Sequence, residues 1–332
     1  MQYFVQHGAG LGALVGDALK EDFTDANFLF HDDSGVVFET RSLAGRVADL
    51  AFAKNVFEVI GTAPRGSIPG TVEQIVKTVR KRSLLRDRRR GASFRTMVNI
   101  DGQLVGLPRE IRARLESVIV EQTGGQFNAR GGSGVEYWIV GRRGLDVLMF
   151  CQKLTVGAKK AGDRGSLSSD LAVLLVKASF PNRDDVFLDP FGGSGALVSA
   201  RVASPFRRVI YSDLALRELR PRLPSGGKRV EVLSEDATKL PSIANGAVTS
   251  IVTDPPWGEY EDVDVLYEEF AAAMISSFDR VLDRRRGRLV MLLSRRTAAT
   301  VAPLWAESGL VIRDSHDILV NGHPSTVLTG GR

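Results

Sequence analysis

An α/β fold is predicted for residues 166–332: an open, mostly parallel sheet, placed behind an α+β N-terminal region. Three observations predict it. From Ser166 onward, short apolar runs alternate with stretches of helical spacing. The run Asp185 to Leu188 ends in Asp189-Pro190-Phe191-Gly192-Gly193-Ser194-Gly195, and helical spacing resumes at Ala196. Strand, glycine loop and helix in that order let a ligand approach both the backbone and a helix N-terminus. The run Val248 to Val252 ends in Thr253-Asp254-Pro255-Pro256-Trp257-Gly258. Two prolines stop that strand, because they lack amide protons and fix φ. Such sheets bind ligands at the C-terminal ends of their strands.

The N-terminal elements are read in order. Tyr3 to Gln6 is a predicted strand and Leu11 to Lys20 a helix. Asn27 to Phe30 and Gly35 to Glu39 flank Asp32-Asp33-Ser34-Gly35, the pattern of a hairpin. A helix over Leu43 to Leu50 and a strand over Asn55 to Ile60 complete a small α+β domain at 1–60. Thr62 to Gly70, with two prolines and two glycines, reads as a loop. Thr71 is the expected N-cap of a helix running to Leu84, with Val72, Ile75, Val76 and Val79 on one face. A cationic segment from Arg86 to Arg90 follows. Then come a strand over Phe94 to Ile100, a helix from Pro108 to Glu121, and strands at Tyr137 to Val140 and Asp146 to Phe150. These make a second domain at 61–154. The small, cationic stretch 155–165 is the expected linker to the domain at 166–332.

In that last domain Ser168 to Ser179 and Ala196 to Val202 are predicted helices. Arg208 to Ser212 is a strand ending in Asp213, and Arg229 to Leu233 is a strand followed by Asp236. An acid at the end of the second strand suits a ribose diol. After the Asp-Pro-Pro-Trp turn come a helix over Tyr267 to Leu282, a strand over Leu289 to Leu293 and a helix over Ala298 to Ser308. Short strands at Val311-Ile312, Asp317 to Val320 and Thr326 to Leu328 end the chain, with a turn at Asn321 to Pro324.

Composition narrows the classes. The chain is 332 residues, 43% apolar and 25% charged, ordinary for a water-soluble fold with a sizeable core. No apolar run reaches the roughly 18 residues of a membrane span, and the N-terminus lacks the pattern of a signal peptide. A single cysteine, Cys151, excludes an intramolecular disulfide and a cysteine zinc knuckle, and four scattered histidines show no ligand spacing. No metal is expected, and a cytoplasmic location is. The net charge of +5 is uneven: residues 1–165 hold 24 Lys/Arg against 18 Asp/Glu, residues 166–332 hold 20 against 21. A basic front half joined to a neutral rear half fits a nucleic-acid-binding module on a catalytic one.

The loop Leu188-Asp189-Pro190-Phe191-Gly192-Gly193-Ser194-Gly195 is neither a dinucleotide G-x-G-x-x-G nor a P-loop. It resembles the S-adenosylmethionine loop of amino-group methyltransferases, which usually carry another small residue or Cys at Gly192. Asp-Pro-Pro-Trp resembles the Asp-Pro-Pro-aromatic turn of enzymes that methylate exocyclic amines of nucleobases. The wider Thr253 to Gly258 phrase and Arg164-Gly165-Ser166-Leu167 resemble the guanine-N2 tRNA methyltransferases linked to THUMP domains. The order of elements in the N-terminal half resembles a ferredoxin-like domain carrying a THUMP RNA-binding module. The resemblance implies a Rossmann-like class I methyltransferase domain behind an N-terminal RNA-binding region. It implies S-adenosylmethionine as cofactor, held by Asp189, Phe191, Gly193, Gly195, Asp213, Asp236 and Ala237.

It further implies a catalytic set of Asp254, Pro255 and Trp257, in which a carboxylate and a carbonyl hold an amino group while an indole stacks on the base. RNA, with tRNA foremost, is the expected partner, gripped by Lys77, Arg80, Arg88, Arg89, Arg90 and Arg95. Arg284-Arg285-Arg286 reads as a cationic helix end, with a further phosphate contact as the alternative. Three alternatives remain: ribosomal RNA as substrate, DNA methylation at adenine N6 or cytosine N4, and a non-catalytic RNA-binding protein that keeps the fold.

Overall fold

The computed structural model describes residues 1–81, 91–129, 134–155, 167–216, 223, 227–257 and 264–332. The chain forms two compact units, Met1–His7 with Phe23–Lys159 and Gly8–Asp22 with Lys160–Arg332. Helix α1 (Gly12–Asp22) is therefore part of the second unit, not of the first sixty residues with which its sequence position grouped it.

The first unit is built on one sheet. Its strands are β1 (Gln2–Gln6), β2 (Asn27–Asp32), β3 (Gly35–Glu39), β4 (Asn55–Pro64), β5 (Ser93–Ile100), β6 (Gln103–Leu104), β7 (Gln126–Phe127), β8 (Val135–Gly141) and β9 (Val147–Lys153). The order is β2-β3-β1-β4-β9-β8-β5-β6, with β7 on β5. No break falls at residue 60: β4 runs through it and pairs with β1 on one side and β9 on the other. The short helix α2 (Ala44–Ala48) precedes β4. Helices α3 (Ile68–Lys81) and α4 (Arg109–Thr123) pack Val72, Ile75, Val79, Leu115, Val118 and Ile119 on one face.

Period-2 alternation explains which strand residues meet them. Tyr137, Ile139, Leu148 and Phe150 point to the helices, while Val140, Met149 and Cys151 point away, toward Phe4, Val37 and Phe57. Burial there raises the thiol pKa of Cys151 and leaves it unreactive. Arg142, after β8, donates to both carboxylate oxygens of Asp32 at 2.7 and 2.6 Å, joining the β8–β9 and β2–β3 hairpins. Thr71 is not the cap of α3, which begins three residues earlier. Its buried hydroxyl donates to the Pro64 carbonyl and accepts from the Gly66 amide, both at 3.1 Å.

The second unit carries helices α5 (Ser169–Ala178), α6 (Ala196–Val202), α7 (Asp264–Val281) and α8 (Arg295–Glu307). Its strands are β10 (Val186–Asp189), β11 (Arg208–Ser212), β12 (Val230–Leu233), β13 (Ser250–Thr253), β14 (Arg288–Ser294), β15 (Val311–Val320) and β16 (His323–Gly331). The order is β12-β11-β10-β13-β14-β16-β15. The first five are parallel, and β16 runs antiparallel to both β14 and β15. From β10 the chain goes to β11 and β12 on one side, then to β13 and β14 on the other. This makes β10 the switch point where such sheets open a crevice.

The expected short terminal strands are one long hairpin. Asn321 and Gly322 turn it with φ of 52° and 89°, as a two-residue type I′ turn requires. Helix α1 docks on α5, where Lys177 donates to Asp22 at 2.6 Å. Gly10 passes so close to β15 that a Cβ there would sit 2.7 Å from the Leu319 amide nitrogen.

Candidate active site

The glycine loop is shaped by its neighbour strand. The Gly192 amide donates to the Ser212 carbonyl at 2.9 Å, and the Gly195 amide to the Gly192 carbonyl at 2.8 Å. Gly193 and Gly195 adopt φ of 49° and 83°, conformations open to glycine at little cost. The Tyr211 hydroxyl donates to the Gly193 carbonyl at 2.8 Å, laying its ring under the loop. A Cβ on Gly192 would lie 2.2 Å from that ring. Tyr211 thus explains glycine where related loops carry another small residue. Gly192→Ala is expected to cost about 1–3 kcal/mol through overpacking. Gly192→Ala combined with Tyr211→Ala should recover part of that loss in a denaturant double-mutant cycle.

Asp213, just past β11, accepts from the Gly193 amide and the Ala215 amide, both at 2.8 Å. It holds the loop and still has lone pairs for a diol. Asp236 is engaged locally: one oxygen takes the Thr238 amide at 2.9 Å and hydroxyl at 2.6 Å, and Lys239 lies 3.1 Å from the other. The Thr238 bonds hold its carboxyl below the usual range. Ala237 beside it is buried.

Asp189 ends β10, 1% exposed. Its Oδ1 accepts from the Phe191 amide at 3.3 Å and the Thr253 hydroxyl at 3.5 Å, while its buried Oδ2 has no hydrogen-bond partner. Burial, with Asp254 and Asp213 adding repulsion, pushes its carboxyl well above the usual range. Asp254 follows β13, the direct neighbour of β10. The Trp257 indole donates to its Oδ1 at 3.0 Å. Burial raises the Asp254 pKa to about 6, against the opposing pull of that bond. Pro255 is buried, Pro256 exposed and Trp257 partly exposed. The Phe191 ring meets Phe270 of α7 edge-on, centroids 6.0 Å apart, and Phe270 meets Tyr267 at 5.9 Å.

The structure thus brings Asp189, Phe191, Gly193, Asp213 and Asp254 together on one sheet edge. Tyr211 and Thr253, which support them, carried no signal beyond being strand residues. Among the cationic candidates, Lys77 and Arg80 are exposed on α3, with Arg80 4.0 Å from Glu121. Arg95 is ion-paired with Glu136 of β8. Arg88, Arg89 and Arg90 lie outside the described residues. Arg284 to Arg286 form the connection into β14, at the opposite end of that strand from the site, and the Arg285 and Arg286 amides are capped by Asp283 at 2.9 and 3.0 Å. Among the described residues, Arg295 and Arg296, directly after β14, are exposed arginines on the site's own edge.

Residues 224–308 match the family model "UPF0020: RMKL-like, methyltransferase domain". The second unit contains a methyltransferase domain. No curated protein matches the chain by sequence. Among solved structures, TrmN from Thermus thermophilus is similar at TM-score 0.71 and 19% identity, over 100% of this chain and 99% of that one. A structure described as a predicted N6-adenine-specific DNA methylase from Listeria monocytogenes is similar at TM-score 0.62 and 13% identity, over 99% and 95%. SMU.472, complexed with SAH, is similar at TM-score 0.62 and 13% identity, over 99% and 97%. At these identities the likeness is one of fold, a Rossmann-like methyltransferase architecture with a preceding α+β region.

The methyltransferase domain's cofactor is S-adenosylmethionine. The residues present fit it: a loop with Gly193 and Gly195 at positive φ leading into α6, an acid at the end of β11, and an orphaned carboxylate oxygen on Asp189 suited to a cation. Among the described residues no cluster of His, Cys, Asp and Glu could hold a metal ion, and no helix is long and apolar enough to cross a membrane.

Proposed function

We propose that the protein transfers a methyl group from S-adenosylmethionine to the N2 amine of a guanosine in RNA, with tRNA as the substrate. The observation that carries this reading is Asp254, a carboxylate turned out of β13 beside Asp189 and tied by one oxygen to the Trp257 indole. The cofactor supplies an electrophilic methyl on a sulfonium. The chain's residues supply geometry and charge.

A guanine N2 lone pair is delocalised into the ring, so the amine is a poor nucleophile. Oδ2 of Asp254 and the Pro255 carbonyl accept its two N–H bonds, favouring a pyramidal nitrogen and stabilising the positive charge that develops on it. Trp257 stacks on the base, its ring held by its own bond to Asp254. The base must leave its stack to reach this turn. The first unit, read as a ferredoxin-like and THUMP-like module, grips phosphates through Lys77, Arg80 and the cationic segment at Arg88, Arg89 and Arg90. Arg95, already paired with Glu136, contributes less.

Methyl incorporation from labelled cofactor into undermodified tRNA, ribosomal RNA and duplex DNA tests the reading. N2-methylguanosine in tRNA is the expected product. Label in DNA alone would favour adenine N6, as the description of the Listeria structure suggests for that protein. Charge reversal of Lys77 and Arg80 together is expected to weaken RNA binding and flatten the plot of log K against log salt by about two.

A further inference from the structure

Strands β10, β11, β13 and β14 are parallel neighbours, so their starts share one edge of the second unit, opposite Asp254. Arg183 stands there in the turn that the Asp185 amide closes on the Asn182 carbonyl at 3.3 Å. Arg207 leads into β11, its amide donating to the Asp185 carbonyl at 3.1 Å. Arg285 stands in the turn before β14, closed by the Gly287 amide on the Asp283 carbonyl at 3.0 Å. All three are exposed, and none has a side-chain partner among the described residues. The acids of that edge are largely engaged: Asp185 is buried between Arg201 and Arg288, Glu231 pairs with Arg208, and Asp283 caps two amides. Exposed Asp184 offsets one charge. An aromatic ring stands on the same edge. Phe180, just past α5, is 64% exposed and has φ of 50°, the left-handed region that helix ends normally give to glycine. Its amide donates to the Lys177 carbonyl at 2.8 Å and its carbonyl accepts from the Arg288 guanidinium. Glycine would make both bonds without strain, so folding does not account for the ring.

Resting on the RNA reading above, we propose that this edge is a second RNA contact, in which Phe180 stacks on an unpaired base and Arg183, Arg207 and Arg285 meet the phosphates around it. A flat apolar face set among cations is the chemistry that holds a single strand, because every base has a π-face and every nucleotide a charge. An acidic protein surface would satisfy the arginines but offer the ring nothing flat to stack on. Strand β14 has seven residues, so its two ends lie about 20 Å apart. A base held at Asp254 and a base on Phe180 therefore belong to different segments of one folded RNA. Such a contact strengthens ground state and transition state alike, so it acts on affinity and leaves the transfer step alone.

Binding of undermodified tRNA to the full chain, measured across a range of salt, tests this with two variants. Phe180→Gly is expected to unfold at the same or a higher denaturant concentration than the parent, yet to bind tRNA about 5- to 100-fold more weakly. Arg183→Gln combined with Arg207→Gln and Arg285→Gln should flatten the plot of log K against log salt by about two. In both variants S-adenosylmethionine affinity, and transfer at saturating tRNA, should stay within about twofold of the parent. Parental tRNA affinity and salt slope in either variant would overturn this inference and leave the RNA reading standing. Failure of the unaltered chain to bind tRNA would overturn both. Lower stability of Phe180→Gly would make the ring a structural group and overturn its part, and the arginine variant then decides whether phosphates are held here.

Discussion

Asp254→Ala is expected to lower methyl transfer by on the order of 10²–10³-fold while changing S-adenosylmethionine affinity by about twofold or less. The expectation follows from what the carboxylate does: it accepts a substrate N–H and faces the charge that builds on nitrogen, so its value is realised in the transition state. The cofactor does not need it. Single-turnover transfer to saturating tRNA separates the two effects.

The pH dependence supplies a second check. The Asp254 pKa is raised from 3.8 to about 6, so below that value the group carries a proton and cannot accept both bonds. Transfer by the unaltered protein should therefore rise with pH through about 6 and level off above it. Asp254→Asn should lose that acid limb. Unfolding cannot mimic the result. Because the folded-state pKa is raised, the stability linked to this group is fully present below the unfolded value and is lost as pH rises through about 6. Above that pH, removing the carboxyl relieves a desolvated charge, and Asp254→Ala should melt no lower than the parent.

Arg201→Leu is expected to do the reverse: a loss of about 3–5 kcal/mol in stability, with transfer per folded molecule retained. Arg201 is 0% exposed on α6, at the sheet edge opposite the site. It donates to Asp185 at 3.1 Å and to the carbonyls of Asn182, Ser204 and Pro205 at 2.8–3.2 Å. Asp185, 1% exposed, also takes the Thr249 hydroxyl at 3.2 Å and the Arg288 guanidinium. The knot ties α6, β10, β13 and β14. Deleting Arg201 leaves buried carbonyls without donors and a buried carboxylate short of one of its two cations. Lysine should rescue little, since a point charge cannot serve four acceptors spread around a planar fork. Denaturant unfolding gives the energy, and transfer normalised to folded protein gives the contrast with Asp254→Ala.

Much of the second unit was legible in the chain because its signals are local. A buried parallel strand is a short apolar run, and Arg208 to Ser212 was bounded to the residue. The glycines, the paired prolines and the acids after β10, β11 and β13 stand within a few residues of strand ends, and backbone sterics turn such sequences in few ways. The turn expected over Asn321 to Pro324 closes on Asn321-Gly322 alone, and the length of the strands it joins did not show, because β15 is exposed along most of its course and has little apolar alternation to read. Thr71 failed as a cap for a related reason: α3 starts on Ile68-Pro69, and the threonine hydroxyl binds a loop that only the fold brings near.

Sequence alone determined the alternation of strands and helices in the second unit and the acids, glycines and prolines set at its strand ends, since those depend on residues adjacent in the chain; the strand order, with its switch at β10, came only with the fold. Tertiary structure decided the rest. It moved α1 into the second unit, ran one sheet through residue 60, paired Arg95 with Glu136, capped Asp236 locally, and explained Gly192 by the Tyr211 ring. The physical reason is range. Periodicity and φ/ψ preference act over a turn or a strand, whereas which charge meets which partner, and which carboxyl is stripped of water, depends on groups 20 to 100 or more residues apart that meet only when the core closes.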